Sequence, residues 1–421
     1  MRSASSNATT TRMMMPLSAL RSLLRSNALR ASAALGVSGL ALAGGNLLLA
    51  RILPSAEFAL FALLFSLVMI GISIGPVGAD VILARRKFDP DAKLHAQVLY
   101  TSAAAAVLVV AVSALMYPLR AQLLTALFVS IVAGGVKTVA VAHHRSHERF
   151  GSALLLTVST NASVLVASII AYFAHASSAL LPAVAMSISL CLTAVVGWRA
   201  VGKNRVSTAA TTGYSWQEGW SAVSFSSAGM ILGALERLVT PQLLGLGQLA
   251  IFSVLATIAG SPFQMLQLGV GYTLLPALRN APDAARRRRA FKHEALVVAV
   301  TCLAAAIAVV GTTPLILKWA LAGRYQIGWP LMLAAITAGI LKVIASLLSA
   351  VINALGSRAE LVKLSVAGWV SIAVALVGSA VGARWGLTGL VFGVAMGWTY
   401  RAVTIGYLAM PHLAGKRSRV G

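Results

Sequence analysis

The chain has 421 residues, of which 58% are hydrophobic and only 10% charged, with a formal net charge of +24. That is too little polar surface to cover a soluble globule of this size, so the bilayer is the expected solvent. Nucleic acid is excluded as the reason for the positive charge because the cations sit between apolar runs, and the two cysteines, Cys191 and Cys302, lie inside such runs and form no disulfide framework.

Residues 1–27 are Ser/Thr-rich and then interleave Leu17, Leu20, Leu23 and Leu24 with Arg12, Arg21 and Arg25, which predicts a basic amphipathic tail lying on an anionic leaflet. Met13, Met14 and Met15 offer alternative translation starts. Near-uncharged runs then predict twelve spans at about 29–50, 57–83, 95–117, 120–142, 151–174, 178–198, 218–240, 246–277, 294–317, 326–354, 361–382 and 386–410. Runs of this length rich in Ala, Leu and Val suit helices and not alternating barrel strands. Leu249–Ser253 overlays Phe58–Ala62, and both helices run to a basic stop, at Arg85 and at Arg279. This predicts one unit used twice: a half over 28–198, a linker over 199–216, a second half over 217–411 and a basic tail over 412–421.

Alternate connections carry 25 of the 34 Lys and Arg residues, the other set carries five, and four lie within spans. The positive-inside rule therefore predicts cytoplasmic termini. Trp198, Trp216, Trp220, Trp319, Tyr325, Trp329 and Trp385 fall near span ends and read as interfacial anchors.

No nucleophile, phosphate loop or metal cluster is visible, so no catalytic residue, cofactor or metal is expected. His143, His144 and His147 share a loop with arginines and read as headgroup contacts. The sequon-like Asn161-Ala162-Ser163 lies inside a span and reads as a chance match. Ionisable groups at membrane depth are more informative, because each costs at least about 2.5 kcal/mol to bury. Lys342 is the deepest; Lys137 and Arg401 lie closer to the inner surface, within reach of snorkelling or of a helix partner. Glu236 and Arg237 are adjacent on one helix and point about 100° apart, so they do not pair face to face. Either Arg237 faces a central cavity while Glu236 bonds to another helix, or Glu236 titrates as a coupling site. Asp80, at the inner end of span two, is a second candidate acid that reads first as a salt bridge to nearby loop cations. Four deep cations against two acids favour an anionic substrate. Gly75, Pro76 and Gly78 in span two and Gly260 and Pro262 in span eight predict breakable helices, with Pro76 and Pro262 as hinge candidates. Gly389, Gly393 and Gly397 form a small-residue stripe suited to helix packing.

The segment Ala50-Arg51-Ile52-Leu53-Pro54-Ser55-Ala56-Glu57-Phe58-Ala59-Leu60-Phe61 resembles the first hairpin of Wzx-type polysaccharide flippases of the multidrug/oligosaccharidyl-lipid/polysaccharide (MOP) exporter superfamily. Glu236-Arg237-Leu238 and Leu249-Ala250-Ile251-Phe252 are similar to that family's acidic-Arg pair and second hairpin, Leu275-Pro276-Ala277-Leu278 to its end, and His144 to Phe150 to the basic turn after span four. Pro54 and Ala59 stand where the family usually has glycines, and Glu236 where Asp is commoner. The resemblance implies an all-α polytopic membrane protein, about twelve helices in two pseudo-symmetric six-helix bundles of MATE/MOP type. It further implies a transporter of the bacterial inner membrane that turns a polyprenyl-diphosphate-linked saccharide toward the outer leaflet. Membrane lipids, a polysaccharide polymerase and export proteins are the implied partners, with Lys342, Arg237, Lys137 and Arg401 around the substrate. The competing readings are a MATE-like multidrug exporter, which would be expected to place acids deep in its first bundle, and a membrane glycan polymerase or ligase, which needs catalytic groups on an outer face where the loops here are short.

Overall fold

The computed structural model of the protein describes residues 27–86, 90–203, 214 and 216–414, and the predicted N-terminal amphipathic tail, most of the linker and the end of the basic C-terminal tail lie outside these. Every regular element among the described residues is helical. The helices are α1 (Asn27–Ile52), α2 (Ser55–Ile74), the short α3 (Ala79–Arg86), α4 (Ala92–Met116), α5 (Ala121–Ser146), α6 (Phe150–Phe173), α7 (Leu180–Lys203), α8 (Trp216–Leu243), α9 (Leu246–Arg279), α10 (Ala284–Leu315), α11 (Trp329–Leu355), α12 (Arg358–Gly382) and α13 (Gly386–Leu413). Ten stretches are long and apolar enough to cross a bilayer; one of them, Ala359–Leu413, holds both α12 and α13, and α1 adds the shorter apolar run Gly36–Ile52. This is a multi-pass membrane protein.

The same pairings occur in each half of the chain. α1 packs on α6 as α8 packs on α12, α2 on α5 as α9 on α11, α5 on α7 as α11 on α13, and α6 on α7 as α12 on α13. The two sets meet through α1 and α2 on one side and α8 and α9 on the other. α2, at the centre of this meeting, is apolar on nearly every face because it is buried on nearly every face: 78% of its apolar stretch is buried, and Phe58, Phe61, Leu63 and Leu64 lie in the core. Peripheral α10 has only 17% buried, and its Leu296, Leu303 and Ile307 are exposed, as lipid-facing side chains are.

Local sequence sets the helix ends. Asp91 caps α4 by accepting from Leu94 N at 2.7 Å, and Ser357 with Glu360 forms a capping box on α12. Asp283 accepts from Arg286 N at 2.6 Å and starts α10 ten residues before the apolar run at 294, so the basic stretch expected as a loop is mostly helix projecting beyond the span. The loop placement of the three histidines is also corrected. They close α5, with His143 and His144 fully buried, and ring centroids lie 4.3 Å (His143–His147) and 5.7 Å (His143–His144) apart. The two Gly/Pro segments behave differently. Span two breaks between Ile74 and Ala79, where Val77 takes φ +46°, whereas α9 runs continuously through both Pro262 and Pro276.

The halves are tied at both ends. At the end away from the termini, Tyr117 donates to Leu238 O (2.9 Å), Gln242 donates to Met116 O, and Tyr325 donates to Ala50 O (3.2 Å) while its ring meets Phe58 edge-on. At the end carrying the termini, Tyr214 donates to Val77 O at 2.6 Å, inside the break of span two.

Candidate functional site: a central cavity with a cross-helix ion pair

Between the halves, at mid-depth, lies a cavity of about 270 Å³. The first half contributes Asn46 of α1, Ser66 and Met69 of α2 and Asn161 of α6; the second contributes Glu236 and Arg237 of α8, Gln264 and Gln267 of α9, Lys342 of α11 and Trp398 of α13. A wall of amides and hydroxyls at membrane depth is costly unless it faces water or a ligand.

Glu236, only 3% exposed, accepts from Lys342 Nζ at 2.8 Å. The pair joins α8 to α11 within the second half. Arg237, one residue on, turns the other way and donates through Nη1 to Ser66 Oγ at 3.3 Å, across the cavity to the first half. Adjacent residues about 100° apart thus serve two different neighbours. The ammonium of Lys342 also lies 5.7 Å from the centre of the Trp398 ring, and the guanidinium of Arg401 lies 5.7 Å from the same centre. With two cations and one carboxylate in its wall, the cavity carries a formal excess of one positive charge.

Of the eight residues singled out from sequence, Lys342, Arg237 and Glu236 come together here. Arg401 is buried beside Trp398 and does not itself line the cavity. Lys137 is buried in the first half, where it donates to Ser159 Oγ (3.5 Å) and to Thr160 Oγ1 on α6. Neither of these two snorkels outward: both are buried within the helix bundle. Asp80 sits in the first turn of α3 near Tyr214, off the cavity, and Pro76 and Pro262 are likewise absent from its wall.

The polar wall residues Asn46, Ser66, Asn161, Gln264 and Gln267, and Trp398, were not singled out from sequence, and three of them show why. Trp398 is one of two tryptophans away from a span end and stands three residues before Arg401 on one helix face, a signal that was available. Asn161 is a cavity residue that also donates to Ser38 Oγ at 3.0 Å, tying α6 to α1. Ser66 gives no sign in a one-dimensional reading.

Tyr214 is the fixed point at the termini end. Burial and the Asp80 carboxylate push its hydroxyl pKa up to about 12, so it stays a donor at any physiological pH. Tyr214→Phe removes one hydrogen bond, worth about 1 kcal/mol. The expected result is faster labelling of a Met230→Cys reporter in the cavity wall by a water-soluble maleimide, in a background lacking Cys191 and Cys302. Unchanged labelling would show that this bond does not restrain the opening.

No family model and no curated protein sequence matches the chain. Solved structures do. The chain is similar to the inward-facing conformation of a multidrug resistance MATE family transporter of the MOP superfamily, with 14% identity and a TM-score of 0.60 over 91% of this chain and 96% of that one. It is similar to the lipid II flippase MurJ in an inward closed conformation, with 10% identity and a TM-score of 0.63 over 91% and 87%. An outward-facing MATE transporter matches at 15% identity and a TM-score of 0.59 over 94% and 98%. At these identities the likeness is one of fold: the chain has the architecture of the MOP exporters.

Proposed function

We propose that the protein is a flippase of the MOP type that moves an anionic lipid-linked saccharide, a polyprenyl-diphosphate oligosaccharide, across a bacterial inner membrane from the cytoplasmic leaflet. The observation that carries this reading is the guanidinium of Arg237, hydrogen-bonded to a serine hydroxyl across a buried cavity whose wall carries a formal excess of one positive charge. Guanidinium presents a planar fork of donors suited to phosphate oxygens, and its bond to Ser66 is a long one to an uncharged hydroxyl, which a diphosphate would readily replace. The amides of Asn46, Asn161, Gln264 and Gln267 supply donors and acceptors for sugar hydroxyls. In this reading both termini are cytoplasmic, as the excess of Lys and Arg in alternate connections predicts, and the chain carries out no enzymatic step.

The test is transport by the purified protein in proteoliposomes, using a fluorescent polyprenyl-diphosphate oligosaccharide and an external reagent that destroys only the flipped fraction. Transport above empty liposomes is expected; none across several saccharides, together with drug efflux, would favour a second reading. That reading is a cationic-drug exporter, and Glu236 is the observation behind it, since a buried carboxylate in the wall is what an organic cation would seek. It is the weaker reading because Lys342 already occupies that carboxylate.

A further inference from the structure

We propose that the guanidinium of Arg401 and the indole N–H of Trp398 form a second, oxyanion-binding subsite that opens on the central cavity past Gly229. Arg401 and Trp398 are 5% and 3% exposed, and Nη1 of the one and Nε1 of the other have no acceptor. Two orphaned donors on neighbouring buried side chains, the guanidinium lying 5.7 Å from the indole centre, are rare, and a buried cation needs a counter-charge or water. The nearby acids are committed: Glu236 to Lys342 at 2.8 Å, and Glu360, at the far end of α12, to His412 at 3.0 Å. Among the described residues, no carboxylate is paired with Arg401. α8 and α12 both present glycine to it instead. A Cβ on Gly229 would lie 3.5 Å from Nη2 and one on Gly368 3.6 Å from Nη1, so backbone alone borders the guanidinium on two sides. Gly229 and Trp398 are themselves part of the cavity wall, which makes the glycine a window between cavity and guanidinium.

The ligand that fits is an oxyanion, phosphate or carboxylate, which takes several donors from a fork and an N–H at once. Lys342 lies over the same indole, so one headgroup with more than one anionic group can engage both cations. Where the ligand is the headgroup of a transported lipid, the subsite rests on the transport reading; as an anion site it does not.

The experiment is thermal unfolding of the purified full chain in phosphatidylcholine nanodiscs, with inorganic diphosphate and farnesyl diphosphate added separately. A ligand that binds the folded state alone raises the midpoint, here by about 2–4 °C near saturation. Wild type and Gly229→Ala, whose added methyl sits at ordinary contact distance, are expected to show the shift; Arg401→Gln and Gly229→Leu are expected to lose it. A shift with inorganic diphosphate alone assigns the subsite to a free anion, and a shift with the farnesyl form assigns it to a lipid headgroup. No shift in wild type with either probe, or an equal shift in Gly229→Leu, overturns the proposal. The Gly229 pair decides the matter even if Arg401→Gln does not fold. Because binding is the readout, a protein that moved some other cargo would leave the result standing.

Discussion

Lys342→Ala is expected to abolish transport and also to lower the unfolding midpoint, whereas the double variant Glu236→Leu/Lys342→Met regains the stability and not the transport. The reason is the asymmetry between the partners. Glu236 is 3% exposed, and the Lys342 ammonium at 2.8 Å is its hydrogen-bonded ion-pair partner. Removing the ammonium leaves a buried charge that must take up a proton or draw in water, at a cost of about 3 kcal/mol. Removing both charges leaves an apolar contact between α8 and α11, which is close to neutral for folding. Glu236→Gln alone is milder, because the ammonium it frees is 24% exposed to the cavity and still lies over the Trp398 ring. The order of midpoints should therefore be wild type and double variant highest, Glu236→Gln next, Lys342→Ala lowest. Transport should fail wherever Lys342 is changed, since the anionic headgroup then loses a cation. If Lys342→Ala unfolds at the same temperature as the double variant, the ion pair does not hold α8 to α11 and its place in the mechanism lapses.

The spans were legible in the sequence because their signal is length and apolarity, properties of a single segment. The deep charges Lys342, Glu236 and Arg237 were legible for the same reason: each violates the rule of its surroundings. What a linear reading lacks is the direction in which a buried side chain points. Lys137 and Arg401 look like Lys342 in one dimension, yet Lys137 turns toward α6 hydroxyls and Arg401 toward an indole. Trp398 was hidden by a rule that works for most tryptophans, that of the interfacial anchor. The Gly/Pro segments show the limit from the other side. Gly75-Pro76-Val77-Gly78 breaks its helix with four residues and a left-handed Val77, while Pro262, a lone proline after Gly260-Ser261, leaves α9 unbroken. The early start of α10 had a visible cause, the Asp283 cap, which apolarity alone overlooks because the helix outruns the membrane.

Gly393→Leu is expected to be the most destabilising single substitution in the second half, costing about 3 kcal/mol or more. α12 and α13 approach so closely that backbone meets backbone. A Cβ on Gly393 would fall on the Gly378 carbonyl, one on Gly389 on the Gly382 carbonyl, and one on Gly397 would lie 2.5 Å from Ser371 O. In lipid, where burial of apolar surface brings helices together only weakly, such contact and the weak Cα–H to carbonyl bonds it permits are what hold a pair. A leucine must push the helices apart over the whole stripe, since neither backbone can give way locally. Gly393→Ala should cost less, and the same substitution at Gly406, where the nearest atom to a Cβ is a leucine methyl at 3.5 Å, should cost little. The consequence reaches the cavity, because α13 carries Trp398 and Arg401 one to two turns beyond Gly393. Displacing α13 moves the indole away from Lys342, so a Gly393→Ala protein that still folds should bind diphosphate more weakly than wild type. Unfolding midpoints of the Gly393 and Gly406 variants in nanodiscs, with and without diphosphate, measure both effects, and equal midpoints at the two positions would mean that α12 and α13 do not pack through this stripe.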